Sequence, residues 1–314
     1  MRIGDNVRKS VVFFGYVDDT PGNGGIECVG TGFLMAYKGV GYLVTAKHLT
    51  HQLGSDPFLL RLNRHDGTAE NILVDDFEWS EHPDPTVDVS IIPLHIGQSS
   101  QYDCVYLDGD ASLLLPELMR HDNIGVGNFT YTLGLFRLMR GEKRNLPICH
   151  FGTIAMLPGD ERVPVRDWKD PTGKKHLSVE TYLVESQSLG GLSGSPVFVR
   201  PEYNVDLSGL LHPQFPARHD EKPLITAGRK HLRLLGLWQG AWEAPADQVR
   251  AAQSGKDIKV PVGMGLVVPC QRIIEVLEMP GSVALRDEIL AEQRLRVSAP
   301  ESSCSGTSDK NPAQ

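Results

Sequence analysis

Gly190-Gly191-Leu192-Ser193-Gly194-Ser195-Pro196-Val197-Phe198-Val199 is a turn of small residues that breaks into an apolar run. Glycines on both sides of Ser193 open backbone conformations closed to other residues, so neighbouring N–H groups can turn into one concavity. A hydroxyl in such a turn can be presented to a cleft; the plainer reading of the same letters is a Gly/Ser turn between two strands. The G-x-S-x-G elbow of α/β hydrolases is not matched, because Ser195 stands where its second glycine would be. No strand–helix alternation surrounds the stretch either, so a parallel α/β sheet is disfavoured.

Working outward, apolar or alternating runs of four to nine residues recur between Gly, Pro, Asn and Asp clusters. They fall at 11–17, 28–37, 41–45, 58–62, 89–94, 129–135, 148–157, 181–185, 196–199, 232–239 and 264–268. Eleven short strands predict an all-β sandwich or barrel. Helical spacing is confined to the end: Pro269 opens a segment with Ile273, Ile274, Val276 and Leu277 on one face, and a second helix is expected over 283–297. Residues 298–314 hold five Ser and two Pro and no large apolar side chain, which predicts a disordered tail. Three polar stretches, 159–179, 201–230 and 243–261, are expected to be surface insertions without cores of their own.

Composition limits the function. The chain has 314 residues, 40% of them hydrophobic and 22% charged, with mean hydropathy -0.20, which fits a folded globular protein. Its net charge of -8 argues against nucleic acid or an anionic membrane as partner. The five cysteines, Cys28, Cys104, Cys149, Cys270 and Cys304, are odd in number and widely spaced, and read as reduced thiols. With no span-length apolar run and no cleavage signal after the start, a cytoplasmic location is expected.

Two further stretches carry chemistry. Gly41-Tyr42-Leu43-Val44-Thr45-Ala46-Lys47-His48 places a histidine directly after an apolar strand, where backbone can hold the ring while one edge meets solvent. A bland core or surface histidine is the simpler reading of His48 alone. His48 and His51 could also form a metal pair, but no third ligand is in sight. In His82-Pro83-Asp84-Pro85-Thr86-Val87-Asp88-Val89-Ser90-Ile91-Ile92-Pro93-Leu94, Asp88 opens a buried run, so its carboxylate needs a hydrogen-bonded or charged partner. It could equally be a turn residue, and Asp84, Asp75 and Asp76 are alternatives that do not lead directly into the run.

Taken in chain order on an all-β background, T-A-K-H, H-P-D-P-T-V-D-V-S-I-I-P-L and G-L-S-G-S-P-V resemble the three motifs of trypsin-like (chymotrypsin-fold) serine peptidases, closest to bacterial Deg-type and glutamyl-endopeptidase-like members. Leu235-Gly236-Leu237-Trp238-Gln239-Gly240 resembles the strand that pairs with substrate backbone, and Gly263-Met264-Gly265-Leu266-Val267-Val268-Pro269 resembles the last strand before the C-terminal helix.

The resemblance implies two six-stranded antiparallel barrels with a cleft between them: 1–110 for the first, and 111–297 for the second with its insertions and C-terminal helices. It assigns Ser193 as nucleophile, His48 as general base and Asp88 as its orienting partner, with backbone N–H groups of Gly191 and Ser193 as an oxyanion hole. Gln187 would floor the specificity pocket, with Trp238, Gln239, Gly240 and Gly263 near it. An uncharged or apolar side chain would be preferred there, since no carboxylate stands at that floor. No metal or organic cofactor is implied. The expected partners are a peptide or protein substrate and a regulatory protein engaged through the insertions. The rival reading is an inactive module of the same fold that binds proteins.

Overall fold

The protein is described by a computed structural model covering residues 3–18, 25–96, 101–172, 174–186, 190–201, 232–245 and 259–298, without side-chain description for 243–245, 259–262 and 296–298. Its first half runs α1 (Asp5–Lys9), β1 (Val11–Asp18), β2 (Gly25–Tyr37), β3 (Val40–Thr45), α2 (Lys47–Leu53), β4 (Phe58–Asn63), β5 (Ala69–Val74), β6 (Ser80–Glu81), β7 (Ser90–Pro93) and β8 (Leu107–Asp108). Two short helices follow, α3 (Gly109–Ser112) and α4 (Pro116–His121). Then come β9 (Phe129–Gly134), β10 (Ile148–Met156), β11 (Val163–Arg166), β12 (His176–Val179), β13 (Tyr182–Ser186), β14 (Pro196–Val199), β15 (Arg233–Pro245) and β16 (Lys259–Pro269). The chain closes on α5 (Cys270–Leu277) and α6 (Pro280–Ser298).

The fold is mostly β, as the strand-length apolar runs predict, and strands β9, β10, β13, β14, β15 and β16 close into a six-stranded barrel. The expected second closed barrel is not shown. Strands β1 to β8 form an eight-stranded sheet in the order β5-β4-β1-β2-β3-β7-β6, with β8 added parallel to β2, and no pairing joins β5 to β6 among the described residues. The edge strand β6 is only two residues long, too short to carry a ladder around to the far edge.

One continuous core lies under both halves. Phe13, Phe14, Phe33, Phe58, Tyr182, Phe198 and Trp238 are fully buried, and each such side chain contributes roughly 1.5–3 kcal/mol by leaving water. Helix α5 buries Cys270, Ile273, Val276 and Leu277, the face its spacing predicts, against β15 and β7. Helix α6 begins at Pro280, three residues earlier than expected, and is pinned by the buried Arg286. That guanidinium donates to Leu277 O at 3.0 Å, pairs with Glu278 at 3.3 Å and lies over the Tyr37 ring.

The stretch 159–179 departs from the expectation of a coreless surface insertion. Its alternating Val163-Pro164-Val165-Arg166 becomes β11, paired antiparallel with β12. Val163, Val165 and Val179 turn inward and form a small second cluster with Leu183 and Leu266 on the flank of the barrel. Most of 201–230 and residues 246–258 lie outside the described residues, as does the tail from 299; the flanks of the latter insertion extend β15 and β16.

Candidate active site

Two carboxylate oxygens of one residue hold the candidate base. Asp88, 2% exposed, accepts the backbone N–H of His48 at 2.8 Å through Oδ1, and its Oδ2 lies 2.6 Å from His48 Nδ1. Position in the chain explains the convergence. His48 stands in the first turn of α2 just beyond β3, Asp88 stands just before β7, and β3 and β7 are paired neighbours. Burial, the largest influence on the imidazole, disfavours its charged form, but the charge of Asp88 and its hydrogen bond outweigh this and raise the His48 pKa above the ordinary 6.5. A carboxylate at Nδ1 places the neutral ring's proton there and leaves Nε2 as the acceptor.

Helix α2 is itself tied down. Glu81 takes His51 Nε2 at 3.0 Å, Thr50 Oγ1 at 3.2 Å and Lys47 Nζ at 3.5 Å, while Lys47 also donates to His82 O. His48 and His51 therefore face separate carboxylates, and among the described residues no group of three or more His, Cys, Asp or Glu is arranged to hold a metal ion.

The nucleophile loop is braced from the other half of the molecule. Gly191 has φ +104° and Gly194 φ +83°, both in the region that favours glycine. A Cβ on Gly194 would overlap Thr31 O and Thr45 Oγ1, so the close approach of the two halves also demands glycine there. The carbonyl of Gly190 accepts from Arg137 N at 3.3 Å, and that of Leu192 accepts from Ser195 N at 2.9 Å. In a trans peptide the N–H points opposite its carbonyl. The N–H groups of Gly191 and Ser193 are thus directed away from these partners, and neither donates a hydrogen bond to another described residue. The Ser193 hydroxyl donates to Gln239 O at 3.1 Å, not to the imidazole.

Ser195, at the position where the elbow motif would have glycine, is fully buried, with its hydroxyl unpartnered. It fits because Gly134 opposite lacks a side chain: a Cβ there would overlap the Ser195 Oγ.

His48, Asp88, Gly191 and Ser193 line one cleft of about 590 Å³, and Trp238, Gln239 and Gly240 line it with them. That volume lies within the range of small-ligand sites. Gly263 borders a second hollow beside Phe151 and Glu185, and Gln187 lies outside the described residues. Three residues at or beside the site carry no sequence expectation: Thr31, which bonds to the nucleophile loop, and Arg166 and Trp168, which line the cleft from the β11–β12 hairpin. The signal for the hairpin was the valine alternation of 163–165; for Thr31 there was only its place in Gly30-Thr31-Gly32.

The chain is similar in outline to several solved structures at low identity. Deg5 is 14% identical at TM-score 0.43, covering 86% of this chain and 88% of that one. The Rv3671c protease from M. tuberculosis in its active form is 17% identical at TM-score 0.43, covering 86% and 80%; its inactive form is 15% identical at TM-score 0.42, covering 86% and 88%. No family model matches the chain, and no curated protein does.

Proposed function

We propose that this chain is a serine endopeptidase acting through Ser193, His48 and Asp88. The observation that carries the reading is the double hold of Asp88 on His48, at the backbone N–H and at Nδ1, in a cleft that Ser193 shares. Asp88 keeps the ring in the tautomer whose Nε2 can take a proton and stabilises the imidazolium that results. In the reaction the Ser193 hydroxyl exchanges its bond to Gln239 O for one to Nε2, a bond that is often loose without substrate.

Ser193 Oγ then attacks the peptide carbonyl as its proton passes to His48. The developing oxyanion is met by the N–H groups of Gly191 and Ser193, two fixed donors that need no reorganisation. His48 returns the proton to the leaving amine, an acyl-enzyme remains on Ser193, and water activated by His48 releases the acid. An uncharged or apolar side chain is the expected preference beside the cleaved bond, on the resemblance that assigns Gln187 to the pocket floor.

The hydrogen bond from Ser193 to Gln239 O favours a second reading, a binding module whose serine is held out of register. A fluorophosphonate probe separates the two. Labelling of the native chain that disappears in Ser193→Ala supports the peptidase; native protein that neither labels nor cleaves a peptide library is the module.

A further inference from the structure

The β11–β12 hairpin reaches from the flank of the closed barrel across the cleft to α2. At its tip the Trp168 ring stands edge-on to the His51 ring at 4.8 Å and lies 6.5 Å from the His48 ring. The tip is rigidly built. Asp167, 4% exposed, accepts Lys169 N at 3.0 Å and pairs with Lys175 Nζ at 3.0 Å, and its own N–H donates to Lys175 O. Asp170 gathers the backbone N–H groups of Thr172, Lys174 and Lys175, which hold its carboxyl down at about 2. Both carboxylates of the tip are thus committed to the tip itself.

Arg166 is different. It lines the same cleft as Ser193 and His48, it is exposed, and among the described residues it has no carboxylate partner. Among the described residues, the other charged or titratable groups lining that cleft are Asp88 and His48, which are engaged with each other. A long guanidinium at the wall of a cleft, with no carboxylate partner among the described residues, is suited to a carboxylate side chain, and Lys169 Nζ, 4.9 Å from the Trp168 ring centroid, adds a second positive charge at the tip.

We propose that Arg166 and Trp168 form a subsite for an acidic side chain of the substrate, so that the preferred substrates are peptides carrying Asp or Glu close to the cleaved bond. This rests on the peptidase reading and concerns a different side chain of the peptide from the one whose preference the resemblance assigns to Gln187. Trp168 roofs the subsite and limits its water, and Arg166 supplies the charge and the bidentate geometry. The hairpin belongs to the barrel half and its tip touches the half that carries His48, so a peptide in the cleft passes under it.

The test uses peptide pairs that differ only by Glu or Gln, or by Asp or Asn, at each position on either side of the cleaved bond. kcat/KM is measured for the native chain, Arg166→Glu and Arg166→Lys. At one position the native chain favours the acid over the amide about fivefold, the scale of a partly exposed ion pair. Arg166→Glu reverses the preference, and Arg166→Lys retains part of it. An acid-to-amide ratio that is the same in Arg166→Glu as in the native chain at every position overturns the subsite and leaves the peptidase standing. If the native chain cleaves none of the peptides, the peptidase reading fails. The subsite is then judged by binding of the same labelled peptides to Ser193→Ala, followed by fluorescence anisotropy. Tighter binding of the acid, lost when Arg166→Glu is added, keeps the subsite; equal binding, or none, removes it.

Discussion

Thr31 Oγ1 donates to the carbonyl oxygen of Gly191 at 3.0 Å and itself accepts from Leu135 N at 2.8 Å, while Thr31 N donates to Ser193 O at 3.1 Å. One fully buried residue of β2 therefore braces the loop that carries the candidate nucleophile from both ends, and Thr45 Oγ1 fixes Thr31 O in turn. The loop's shape is imposed by the opposite half of the molecule, in addition to its own glycines.

Thr31→Val keeps the shape and deletes the hydroxyl, leaving Leu135 N buried and Gly191 O part-buried without those partners. The buried group costs about 1–3 kcal/mol and the part-buried one less, so chemical denaturation should show a loss of roughly 2–4 kcal/mol. In the fraction that remains folded, kcat should fall more than KM rises, because the loop that meets the oxyanion is loosened. Thr31→Ser should restore both. A Thr31→Val chain with native kcat would separate the brace from catalysis.

The pH profile follows from the raised His48 pKa. The base must be neutral, so kcat/KM should fall as pH drops through a midpoint above 6.5. Asp88→Asn removes the charge that raises it. The midpoint should move down and kcat should fall about 10^4-fold through the wrong tautomer. The linkage to stability has the opposite sense. A raised histidine pKa means the folded state holds its proton more tightly, so this contribution is complete below pH 6.5 and is lost as pH rises through the folded value. Urea titrations of the native chain and His48→Gln on either side of neutrality read it directly.

Gly134 and Ser195 should be energetically coupled. Gly134→Ala drives a Cβ into the Ser195 Oγ and is expected to cost about 1–3 kcal/mol. Adding Ser195→Gly should recover most of that loss, because it removes the atoms in the way. Ser195→Ala alone, which deletes a buried hydroxyl with no partner, should be neutral or slightly stabilising. Simple additivity of the two single losses in the double variant would contradict the contact.

Thiol chemistry offers a check on the packing. Cys149 is exposed, whereas burial pushes the thiols of Cys104 and Cys270 up to about 12 and Cys270 donates to Leu114 O. Brief treatment of the native chain with a maleimide should modify Cys149 well before Cys104 or Cys270, as mapped by peptide mass spectrometry. Equal rates at all three would mean that the core opens readily.

Much of this molecule is written locally. Apolar runs between turn residues mark most of its longer strands, and the spacing after Pro269 marks the buried face of α5, because both depend on residues that are near neighbours in the chain. The order T-A-K-H, V-D-V-S-I-I-P-L, G-L-S-G-S-P pointed to three side chains; that His48 and Asp88 share two hydrogen bonds is a matter of β3 lying beside β7. Local pattern had no means of deciding whether the first sheet would close, since closure depends on the order of all its strands, set by pairings such as β1 with β4 and β3 with β7. Nor could it place Trp168 against His51, or Thr31 against Gly191. Those contacts arise only when the two halves meet, and a valine alternation or a Gly-Thr-Gly triplet carries no mark of what will face it.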